Sequence, residues 1–189
     1  MAFTGVKTGM KVMDLVSSAG YSAELLARSV GPTGTVYAVN AKETADRVKD
    51  RFEPRMEKVK NLVSVVRKCD DPIPPEVSNL DLVTIYFSYH DLTYMEVDRA
   101  AMNKKVFAAL KPGGFYVVAD HSAKPGDGIA VGKTLHRIEE SALRKEVEAA
   151  GFKLVAEGDF LRHPEDTRET TTTRPGPTPN DEFVLKFQQ

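Results

Sequence analysis

The chain has 189 residues, 41% of them hydrophobic, with a formal net charge of −1 and a single cysteine, Cys69. That length carries one sizeable core, and the charge balance excludes a general electrostatic pull toward nucleic acid or an anionic membrane. One cysteine excludes an internal disulfide. No run approaches the ~20 apolar residues of a membrane span, and no leader pattern opens the chain, so the cytoplasm is the expected compartment.

Strands and helices alternate along the chain, which predicts a parallel sheet covered by helices on both faces. Val12, Met13 and Leu15 mark a first strand that runs into a tight turn over Ser17–Gly20. A helix follows over Ser22–Val30, closed by Gly31-Pro32-Thr33-Gly34. Thr35–Val39 is a second strand ending at Asn40. Residues 43–59 have helical period, with Pro54 expected to break or kink them. Leu62–Val66 is a third strand, and Cys69-Asp70-Asp71-Pro72 follows it. Leu80–Phe87, nearly all apolar, is a fourth strand buried on both faces. Met95–Leu110 is a helix, Lys111-Pro112-Gly113-Gly114 a turn, and Phe115–Ala119 a fifth strand. A helix around Glu139–Ala150 and strands at Lys153–Ala156 and Phe183–Phe187 complete the pattern. Segment 162–180, rich in Thr, Pro and charge, is expected to be a long loop within a single domain spanning 1–189, either a lid or slack chain.

The strand–turn–helix opening is that of a nucleotide-binding α/β domain, in which backbone N–H groups and a helix N-terminus face a ligand. Its order resembles the first motif of class I S-adenosylmethionine-dependent methyltransferases, an acidic residue followed by three glycines at alternate positions. Asp14 and Gly20 fit, whereas Val16 and Ser18 stand where the first two glycines belong. Asp81-Leu82-Val83 and Leu110-Lys111-Pro112-Gly113-Gly114 extend the likeness. More narrowly, the chain is similar to a group of small bacterial predicted methyltransferases. Tyr89-His90-Asp91-Leu92, Asp120-His121, Leu135-His136-Arg137-Ile138, Val147–Phe152 and Phe183–Phe187 carry that similarity over nearly the whole chain.

The resemblance implies a Rossmann-like seven-stranded sheet of order 3-2-1-4-5-7-6 with the last strand antiparallel. It also implies S-adenosylmethionine as cofactor. Asp14 would hold the ligand's amino-acid end, Ser18, Gly20 and Tyr21 would line the loop, Asp70 would take the adenine amino group, and Phe87 is a further candidate to contact the cofactor. The second strand of the family ends in an acidic residue for the ribose hydroxyls. Here it ends in Asn40, which loses a charge-assisted bond worth ~1 kcal/mol or more. Val16, Ser18 and Asn40 thus weaken one ligand together. Either binding survives in a loosened motif, or the fold serves chemistry that no longer needs the cofactor.

Open α/β sheets keep their ligands at the carboxyl ends of the strands. Two histidine–carboxylate pairs fall there, His90-Asp91 after the fourth strand and Asp120-His121 after the fifth, and His136 can enter the same crevice. A neutral imidazole takes a proton from a hydroxyl near pH 7, which oxygen methylation requires. His90, Asp91, His121 and His136 are therefore the candidate catalytic residues of an O-methyltransferase. Lyase or isomerase chemistry by the same cluster, or a non-catalytic binding subunit, is the alternative. No metal is expected, because His-Asp neighbours in an extended chain point to opposite sides. Tyr21, Phe87, Tyr89 and Tyr94 are candidates to line a pocket for a planar small molecule. Nucleic acid and membrane are not expected partners.

Overall fold

A computed structural model describes residues 1–174, 176 and 178–189; Pro175 and Pro177, within the predicted long loop, lie outside the described residues. Seven strands form one sheet: β1 (Lys11–Leu15), β2 (Thr35–Asn40), β3 (Leu62–Val66), β4 (Leu80–Tyr86), β5 (Leu110–His121), β6 (Lys153–Gly158) and β7 (Glu182–Gln188). Their order is β3-β2-β1-β4-β5-β7-β6, as the resemblance implies. The strands β1 to β5 pair in parallel, and β7 lies antiparallel between β5 and β6.

Side-chain alternation sorts the core into two layers. On one face Met13, Leu15, Val83 and Ile85 pack under α3 (Arg99–Ala109) and α5 (Glu140–Glu148), through Met102, Val106, Leu143 and Val147. On the other, Val12, Val36 and Leu82 pack under α1 (Tyr21–Val30) and α2 (Lys42–Lys58), through Leu26, Val30, Val48 and Phe52. A single turn, α4 (Gly132–Leu135), sits between β5 and α5.

Two expectations are corrected. The helix α2 runs unbroken through Pro54. The carbonyl that proline leaves without a donor belongs to Asp50, and both residues lie on the exposed face, open to solvent. Lys111-Pro112-Gly113-Gly114 is not a turn before β5 but an irregularity inside it: Leu110 already pairs with Leu80, and regular pairing resumes at Phe115 with Leu82. Gly113 takes φ +79° there.

Within segment 162–180, the stretch around Asp166–Thr170 is tied down rather than slack. The guanidinium of Arg137, fully buried, pairs with Asp166 at 2.8 Å and donates to the Ser122 and Thr170 carbonyls. Asp166 accepts the backbone N–H of Asp181 at 2.7 Å, and Asp181 pairs with Arg168 at 2.8 Å. Among the described residues, no helix is long and apolar enough to cross a membrane.

Candidate active site

The loop after β1 holds left-handed backbone at all three motif positions with only the last of the three glycines. Val16, Ser18 and Gly20 take φ of +50°, +49° and +79°, the left-handed region, at the three motif positions. For a β-branched residue this is a genuine outlier, costing roughly 1–2 kcal/mol. Only Gly20 is sterically obliged: a Cβ there would lie 2.6 Å from the Phe52 ring.

Asn40 explains how the loop holds its shape. Its side-chain oxygen accepts the Ser18 N–H at 2.8 Å, and its amide donates to the Ser18 carbonyl at 3.0 Å. An acidic residue could make only the first bond, so the amide at the end of β2 matches the missing glycine at position 18. Asp14 is almost fully buried and accepts from Ser22 and Thr84, both at 2.6 Å. Burial pushes its pKa up, against those hydrogen bonds. Asp70, half-buried in the turn after β3, makes no side-chain hydrogen bond among the described residues.

A cavity of about 390 Å³ opens above this loop, lined by Val16, Ser17, Ser18, Ala19, Tyr21, Ser22, Leu25, Tyr86 and Phe87 among others. Ser18, Tyr21 and Phe87 therefore share one space, whereas Asp14 and Asn40 do not line it. On the far side of Val16, between Leu15, Val39, Cys69 and Met102, only about 10 Å³ is free. A larger cleft of about 510 Å³, around Gly31 and Asn61, sits at the amino ends of β2 and β3, away from these residues.

The histidines converge as expected. The ring of His90 lies 5.8 Å from that of His121 and 5.4 Å from that of His136. Phe87, in a left-handed conformation, stacks on His121 at 4.9 Å and so joins the cluster to the cavity. His90 is 3% exposed. Its Nδ1 lies 2.6 Å from Asp120 and its Nε2 3.2 Å from Asp91. Burial lowers its pKa, but these two carboxylates outweigh that and raise it to about 9. With a carboxylate against each ring nitrogen, His90 has neither turned toward a substrate as a base. Asp91 stays below the usual carboxylate range, because His90, Tyr94 and His136 outweigh the effect of burial. The Nδ1 of His121 faces Glu182 at 3.0 Å, and that of His136 faces Asp91 at 3.4 Å.

His90 and Asp91 do not diverge, because the chain there is not extended. His90 caps a 3-10 turn over Asp91–Thr93, which folds both side chains toward one side. Tyr94 donates to Asp91 at 2.6 Å, while Tyr89 is fully buried against Glu146 and Asn103 and lines nothing. Gly132 brings His136 into reach, since a Cβ there would press on Thr93 and lie 2.9 Å from the His90 carbonyl. Gly132, Glu182 and the hydroxyl of Tyr94 carry no motif in the sequence. Their places come from packing between segments far apart in the chain.

A sequence model described as the ubiE/COQ5 methyltransferase family matches residues 1–131. The ubiquinone/menaquinone biosynthesis C-methyltransferase UbiE of Cupriavidus taiwanensis is 35% identical over 124 residues, 65% of this chain and 47% of that protein. The chain thus spans about half the length of the curated relatives it matches. Its fold is similar to that of a SAM-dependent methyltransferase from Aquifex aeolicus, at 18% identity and TM-score 0.71, covering 99% of this chain and 86% of the other. It is also similar to that of the [4+2]-cyclase SpnF, at 14% identity and TM-score 0.68, covering 98% and 76%. With 131 of its 189 residues matched, the chain belongs to the ubiE/COQ5 methyltransferase family.

Proposed function

We propose that the chain is an S-adenosylmethionine-dependent methyltransferase that acts on a small organic molecule at a hydroxyl oxygen, with His121 as the general base. The cofactor supplies an electrophilic methyl group when bound. Its seat is the loop 16–20 with the N-terminus of α1, where all three motif positions hold the left-handed conformation. Asp14, Ser18, Gly20 and Tyr21 would hold the amino-acid end. Asn40 and Asp70 would hold the nucleoside end, and Asn40 does so at the cost of its own bonds to Ser18.

The observation that carries the base assignment is the stack of His121 on Phe87, which lines the cavity. His90 has both ring nitrogens against carboxylates, whereas His121 is 16% exposed and turns only Nδ1 toward one. Nδ1 lies 3.0 Å from Glu182 without a completed hydrogen bond, and Nε2 is the nitrogen that would take the hydroxyl proton, after which the oxygen meets the methyl group by alignment. Tyr21 and Phe87 offer flanking faces for a planar acceptor.

A second reading, acid–base chemistry without the cofactor, is favoured by two details. Both the oxygen and the nitrogen of the Asn40 amide already bond Ser18, and only about 10 Å³ is free beside Val16. Incubation with methyl-labelled S-adenosylmethionine and a panel of small hydroxyarenes separates the two. Label transfer by the wild type, lost in His121→Gln with cofactor affinity intact, supports the proposal. Chemical turnover of an acceptor that incorporates no label overturns it.

A further inference from the structure

Beyond methyl transfer, we infer that His90, Asp91 and His136 form a binding site for a divalent first-row transition cation, with Asp120 and Tyr94 as outer supports. Asp91 Oδ1 lies 3.2 Å from His90 Nε2 and 3.4 Å from His136 Nδ1. One donor atom from each of the three residues fits within 4.8 Å of the others. Two donors each ~2.1 Å from a tetrahedral ion stand roughly 3.4 Å apart, so these separations suit one shared cation with little movement.

The donor set is chemically selective. Two imidazoles and one carboxylate suit Zn, Fe, Co or Ni, whereas Mg and Ca prefer oxygen throughout. The surroundings have the form that ligating histidines need. Asp120, fully buried, takes the Nδ1 side of His90 at 2.6 Å and its backbone N–H at 2.8 Å, which locks the ring with Nε2 aimed at Asp91. Tyr94 donates to Asp91 Oδ1 at 2.6 Å and fixes the carboxylate. Asp91 and His136 are each 29% exposed, so further coordination positions open outward, toward an oxygen donor of a bound small molecule. The site rests on side-chain geometry alone and does not depend on the methyl-transfer reading.

The test uses the full chain, stripped with a chelator and titrated with Co²⁺ in the absence of S-adenosylmethionine. Absorption in the visible reads the ligand field, and calorimetry reads the stoichiometry. The expected result is one equivalent bound, with Mg²⁺ failing to compete. Asp91→Asn and His136→Asn should abolish the absorption; asparagine tolerates the left-handed backbone of His136. Asp120→Asn should weaken binding by about 10–100-fold while retaining the coordination spectrum. Absence of Co²⁺ binding at millimolar concentration, or binding unchanged in both ligand variants with native circular dichroism, overturns the proposal and leaves a proton in place of the ion. Cofactor binding is read in a separate titration, so either conclusion can fail without the other.

Discussion

Replacing Val16 with glycine should leave stability almost unchanged while tightening cofactor binding. Val16 holds φ +50° with a β-branched side chain, and glycine removes a conformational cost of roughly 1–2 kcal/mol. Against this, glycine widens the unfolded ensemble, about 0.4–1 kcal/mol. The half-buried side chain also gives up contacts with the core; full burial of a valine is worth ~1.5–3 kcal/mol, so about 1 kcal/mol is lost here. The sum lies within about 1 kcal/mol of zero, a melting shift of no more than ~4 °C for a chain of this size. Binding responds differently. The side chain borders both the 390 Å³ cavity and the 10 Å³ space on its far side. Methyl groups forced into a close contact cost ~1–3 kcal/mol, so their removal should tighten S-adenosylhomocysteine binding by about 5- to 150-fold. Thermal melts and calorimetric titration of both proteins read the two quantities. A melting point far below the wild type would refute the conformational ledger, and unchanged affinity would refute the steric reading of the worn motif.

Three other perturbations test separate parts of the structure. Asn40→Ala removes both hydrogen bonds to Ser18 and should cost about 1–3 kcal/mol in denaturant unfolding, whereas Asn40→Asp keeps one bond and loses less. Gly132→Ala should displace α4 from the His90 turn, costing about 1–3 kcal/mol and removing the close approach of His136 to Asp91, visible as altered histidine resonances. Arg137→Met leaves Asp166 buried without its cation and should destabilise by about 3–5 kcal/mol. In the wild type, burial raises the Asp166 pKa, but N–H donors from Asp181 and Arg168 and the Arg137 charge outweigh it and lower the pKa overall. A depressed carboxyl stabilises the fold above its unfolded value near 3.9 and loses that contribution as pH falls through the folded value. Proteolysis within segment 162–180 should therefore accelerate only in strong acid, and equal cleavage across that range would contradict the pinning.

Some of this was legible in the sequence and some was not, for physical reasons. The alternation of strands and helices and the apolar run of Leu80–Phe87 announce a parallel sheet, and its strand order is what the family resemblance implies. The crevice was legible too, because strand ends fix where His90, His121 and His136 emerge. Side-chain direction was not. A 3-10 turn at His90 reverses the divergence expected of neighbours in an extended chain, and nothing in the string His-Asp-Leu-Thr forces that turn. The left-handed backbone at Val16 and Ser18 was equally hidden, since a valine in isolation argues against it. The fold imposes it, and Asn40 stabilises it from a strand 22 residues away from Ser18. The continuation of α2 through Pro54 shows tertiary burial of Val48 and Phe52 overriding local propensity.

The most direct test of the account is calorimetric titration of the wild-type chain with S-adenosylhomocysteine. The account predicts saturable binding at one site in the micromolar range. No heat of binding at millimolar ligand, from protein with a cooperative melt, would contradict it: the loop would then have kept the shape of a cofactor site without its use.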